Sequence, residues 1–246
     1  GGGRGGRFRT ALIRFAREAR GETDRLALIG AASALAAASP AALDAVLDEP
    51  DLRDGWLGLD AAQPRLKAAV LHSVAGVIDP IPVTDGAGDK VPAAALRLPS
   101  EAVLRLFGAV GTANGGPDSD DGTDGEEAGA AAAAAAAAAG LVLAAARSAL
   151  AEVRLGAYAL LHAVAARGPG ALLLLPQHGG LYGLLTDREA EDPKEGREAR
   201  HGIVGAVLAS GVRDLLADAV VETLEKMYAQ GPHHVQPAQF ELAMGQ

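Results

Sequence analysis

The sequence predicts an all-α protein assembled as an α-solenoid, and three observations carry that expectation. The 246 residues are 49% apolar but only 3% aromatic, and Ala and Leu supply most of the apolar share. Both are strong helix formers, so this bias favours helices over sheet. Apolar residues recur at helical spacing in one short segment after another. Several of those segments also carry an internal glycine, at Gly30, Gly76, Gly156, Gly202 and Gly205. Each such glycine costs roughly 0.5–1 kcal/mol relative to alanine. Helices this marginal need neighbours stacked on both sides, which is how a solenoid is stabilised.

Taken in order, residues 1–7 (GGGRGGR) form a low-complexity segment read as a disordered tail. Helical repeats are expected over 8–111. The first helix carries Phe8, Leu12, Phe15 and Ala19 on one stripe. Asp24 then precedes a helix with Leu28, Ala32 and Leu35 in phase, and Ser39-Pro40 supplies an N-cap and a first-turn proline for a short helix through Leu47. Pro64 opens a helix carrying Leu66, Val70, Val74 and Val77, which Pro80 and Pro82 end. Ser100 caps a helix with Val103, Leu106, Phe107 and Val110 as its stripe.

Residues 112–129 lose all periodicity and hold Asp118, Asp120, Asp121, Asp124, Glu126 and Glu127 among Gly, Ser and Thr, the composition of a solvated, disordered loop. A second set of helical repeats is expected over 130–237, followed by a tail over 238–246. It starts with the alanine run Ala130–Ala139, helical on propensity alone. Arg147 and the absence of flanking aromatics argue against a membrane span there. Helices follow near Val153–Ala166, Pro169–Leu175 and Leu181–Thr186. Asp192-Pro193-Lys194-Glu195 reads as N-cap, first-turn proline and capping acid for a helix that buries Ala199, Ile203, Ala206 and Val207. Leu216, Val220, Leu224, Met227 and Tyr228 line the last helix, and Gly231-Pro232 stops it.

Leu71-His72-Ser73-Val74-Ala75 is echoed by Leu161-His162-Ala163-Val164-Ala165, with Arg65 and Arg154 near the start of the respective helices. The offset of 90 positions reads as two steps of about 45, the length of an armadillo or HEAT unit. The expected fold is therefore an armadillo/HEAT-like right-handed α-solenoid.

The sequence carries no recognisable catalytic or metal site. Without cysteine there is no disulfide, thiolate nucleophile or Cys-based metal site. The acid run fails as an EF-hand in both registers. From Asp118 the glycine falls fifth, and from Asp120 the twelfth position is Ala131. His233-His234 lacks a third ligand, His72 and His162 sit beside apolar stripes, and His178 and His201 have no acid or nucleophile partner. No P-loop, dinucleotide fingerprint or serine elbow occurs, so no enzyme, cofactor or small-molecule substrate is expected. A net charge of −9 argues against nucleic-acid binding. Lys194, Arg197, Arg200 and His201 share one side of their helix, roughly opposite Ile203 and Val207. That side reads either as a solvated face or as a docking surface for an acidic patch on another protein.

From about Arg154 to Pro237 the chain resembles the 26S proteasome non-ATPase regulatory subunit 5 family, armadillo/HEAT-like chaperones of regulatory-particle base assembly. The resemblance rests on the small-residue, Leu-rich helix Val153–Ala166, the Asp187-Arg188 turn, the entry Glu191, Lys194, Arg197, Arg200, and the tail Gly231-Pro232 with Val235 and Pro237. His233 and His234 stand where the family favours aromatics, and Gln236 replaces a basic residue. The resemblance implies a cytoplasmic or nuclear chaperone that binds the C-terminal domain of an ATPase subunit of the proteasome base.

Overall fold

A computed structural model describes residues 3–59, 63–79, 100–115, 124–167, 180–187 and 193–234. Among these residues the protein is helical and has no β-strand. The α-helices are α1 (Gly3–Glu18), α2 (Glu22–Ala36), α3 (Pro40–Leu47), α4 (Pro50–Leu57), α5 (Pro64–Ile78), α6 (Ser100–Thr112), α7 (Asp124–Ala145), α8 (Ala151–Ala165), α9 (Leu181–Thr186), α10 (Lys194–Ala209) and α11 (Asp218–Gln230). A 3₁₀ turn at Arg213–Leu215 precedes α11. The helix expected at Pro169–Leu175, the acids 118–121, Glu191, Asp192, Val235 and Pro237 lie outside the described residues.

The helices pack in series. α2 lies against α5, α5 against α8, α8 against α10, and α10 against α11. A second set backs this row: α3 and α4 behind α2, α6 against α3 and α4, and α7 bridging α6 and α8. One apolar core runs through both sets, from Leu12 in α1 to Leu224 in α11.

Local chemistry accounts for several boundaries. The Ser39 hydroxyl accepts the Ala42 N–H at 3.1 Å, and Pro40 occupies the first helical position of α3. Pro64 opens α5 in the same way. Gly231 closes α11 at φ 82°, a left-handed conformation that glycine adopts without a steric penalty.

Four expectations require correction. Helix α1 begins at Gly3, inside the segment expected to be a tail, because extending a formed helix costs less than nucleating one. Asp124–Gly129 are helical rather than loop: they form the first turns of α7. Helix α4 is additional. Its Leu52, Trp56 and Leu57 are fully buried, and Trp56 is among the largest buried side chains of the protein. Finally, the 90-residue echo is a single step along the row rather than two, since α5 and α8 pack directly on each other while α6 and α7 intervene in sequence.

That echo extends to burial. Leu71, Val74 and Ala75 are buried in α5, as are Leu161, Val164 and Ala165 in α8, while His72 and His162 are exposed, His72 with one ring edge against Gly156 of α8. Gly156 lets the two helices approach closely: a Cβ there would sit 3.2 Å from both the Ala68 carbonyl oxygen and the Leu71 Cβ. Gly111 does the same between α6 and α7, where a Cβ would fall 2.0 Å from the Ala134 carbonyl oxygen. Gly30 and Gly76 have open space around them and serve no such contact.

Candidate partner-binding surface

Helix α10 carries all four residues of the candidate docking face. Pro193 is its N-cap residue rather than its first helical position. Ile203, Val204 and Val207 are buried, and so is Gly196 in the first turn, with α8 as the main neighbour of the helix. With that side fixed, helical periodicity turns the early basic residues outward.

The structure divides the four. Lys194 is 71% exposed and pairs with Glu198 one turn on, at 3.8 Å. Arg197 is also exposed. Arg200 instead turns toward the preceding segment, donating from its guanidinium to the Asp187 carbonyl oxygen at 2.7 Å. It thereby satisfies the residue that closes α9. His201 is half-buried and turned to α11. Its ring stacks on Tyr228 with centroids 4.6 Å apart and planes 9° from parallel. Its Nε2 lies 3.1 Å from the Tyr228 carbonyl oxygen. A carbonyl only accepts, so Nε2 carries the proton. The exposed basic surface is therefore Lys194 and Arg197, with Arg200 and His201 holding α9 and α11 in place. A shallow cleft beside it is lined by Arg154, Leu155 and Tyr158 of α8 and by Pro193, Glu195 and Gly196.

Other polar residues join elements distant in sequence. The Arg167 guanidinium donates to the Ile78 carbonyl oxygen at 2.9 Å and pairs with Asp79 at 3.0 Å. Asn114 accepts from the Leu59 N–H at 2.6 Å and donates to the carbonyl oxygens of Leu57 and Val110 at 3.0 and 2.7 Å. It thus ties the end of α4 to that of α6. Arg105 bridges Asp44 and Asp48, each at 2.5 Å, linking α6 to α3. These long-range partners left no local spacing signal in the sequence.

Among the described residues, no group of three His, Asp or Glu side chains is placed to hold a metal ion. None of their helices is long and apolar enough to cross a membrane. Comparison with known proteins finds no matching family, no matching curated protein and no matching solved structure.

Proposed function

We propose that the protein is a protein-binding α-solenoid of the armadillo/HEAT type and that it acts as an assembly chaperone for the base of the proteasome regulatory particle. The observation that carries the scaffold reading is the serial packing of α2, α5, α8, α10 and α11, each laid on the next and backed by a second set of helices. The shared burial pattern of α5 and α8 supports a repeat with one structural step between them. A stack of this kind offers an extended surface, and a partner bound on it is released by competition rather than by chemistry.

The chaperone reading rests on the resemblance of the stretch from Arg154 to Pro237 to the non-ATPase subunit 5 family. Its partner is the C-terminal domain of a base ATPase subunit, met by Lys194 and Arg197. Arg200 and His201 act indirectly, by fixing the helix that presents those two cations. Basic groups on a rim contribute mainly association rate and orientation. The test is affinity purification of the chain from cells followed by identification of what copurifies. Enrichment of base ATPase subunits supports the reading. Recovery of a different partner class without them replaces it with an adaptor function on the same scaffold.

A further inference from the structure

Helix α11 differs from the rest of the row in how it is held. Helix α8 buries nine residues, among them Tyr158, Leu160 and Leu161. Helix α11 buries Leu224 alone. Val220 packs half-buried against the core, and polar contacts add to it. His201 stacks on Tyr228 and donates to its carbonyl oxygen. Arg213 pairs with Glu225, and His233, just past the helix, lies 3.4 Å from Glu198. Gly205 completes the seat: a Cβ there would come 2.8 Å from the Tyr228 ring. The helix is joined to the 3₁₀ turn through Leu216 and Ala217, both in extended conformation.

We propose that α11 is a displaceable strap that opens as a unit about Leu216 and Ala217 while the row from α2 to α10 stays folded. Opening uncovers the side of α10 between His201 and Gly205, a slot that Tyr228 fills when the strap is closed. Local opening of this kind is the expected behaviour of an element with little buried apolar surface. The inference concerns the isolated chain and does not depend on the partner proposed above.

Hydrogen exchange of the full chain tests it. Amides of α11 are expected to exchange on the order of 100-fold faster than those of Leu160–Ala165 in α8, through an opening that leaves α8 protected. Removing the stacked pair with Tyr228→Ala, or from the other side with His201→Ala, is expected to raise α11 exchange about 2- to 12-fold further, with α8 unchanged. Exchange of α11 in step with α8, or α11 rates insensitive to both substitutions, overturns the proposal.

Discussion

Arg167 donates to the carbonyl oxygen of Ile78, so the second residue past α8 caps the C-terminus of α5, its neighbour in the row. Only 9% of the Arg167 side chain is exposed, which makes this a sheltered, charge-assisted bond at the negative end of a helix. Arg167→Ala is expected to destabilise the protein by about 1.5–3 kcal/mol in urea unfolding. Both bonds leave one guanidinium nitrogen, Nη2, so Arg167→Lys should recover part of that loss, limited by the shorter reach and stronger hydration of the ammonium.

The glycines separate into two groups with opposite predicted effects. Gly76 is exposed and a Cβ there meets nothing, so Gly76→Ala is expected to raise stability by about 0.5–1 kcal/mol. Gly111→Ala would drive a Cβ into the Ala134 backbone and is expected to cost at least about 1–3 kcal/mol. Thermal unfolding of the two variants should shift in opposite directions.

Trp56 is fully buried, and its Nε1 donates to the Ser73 hydroxyl at 2.8 Å, which in turn donates to the Val70 carbonyl oxygen at 2.8 Å. Ser73→Ala strands the indole N–H and is expected to cost about 1–3 kcal/mol. In a double-mutant cycle with Trp56→Phe, the combined loss should fall short of the sum of the single losses, since the phenyl ring has no donor to strand.

One edge of the His72 ring lies against α8, where a Cβ at Gly156 would come 3.4 Å from its Cδ2. Burial there lowers the His72 pKa. The folded state thus disfavours the charged ring, and the unfolded chain binds the proton more readily. The His72 contribution to stability is accordingly complete above the ordinary histidine range near ~6.5 and is lost as pH falls through it. His72→Gln should flatten the loss of stability as pH falls below that range, read by urea unfolding at a series of pH values.

Much of the fold was legible because helix signals are local. Ser39-Pro40, Pro64 and Gly231-Pro232 mark real boundaries, and the stripes of α5, α6 and α8 are buried as their spacing predicts. Helix α4 was hidden by its shortness: Asp51, Arg53 and Asp54 match Leu52, Trp56 and Leu57 in number and Gly55 interrupts the run, although Pro50 marks its first turn. The stripe of α11 was over-read. Val220 and Met227 are only half-buried and Tyr228 is 47% exposed, because α11 has α10 as its main neighbour. The candidate face shows the same limit. Periodicity placed Lys194, Arg197, Arg200 and His201 on one side, but α9 and α11 decide which of them reach solvent.

In the proposed function this stack of helices grips a base ATPase through a face that includes Lys194 and Arg197. The most direct measurement is binding of the purified chain to purified C-terminal domains of the base ATPase subunits, with Lys194→Glu/Arg197→Glu alongside. Saturable binding to one of them is predicted, weakened roughly 10-fold or more in the charge-reversed chain with its helical content unchanged. No binding to any of these domains by the folded chain would rule out the chaperone function.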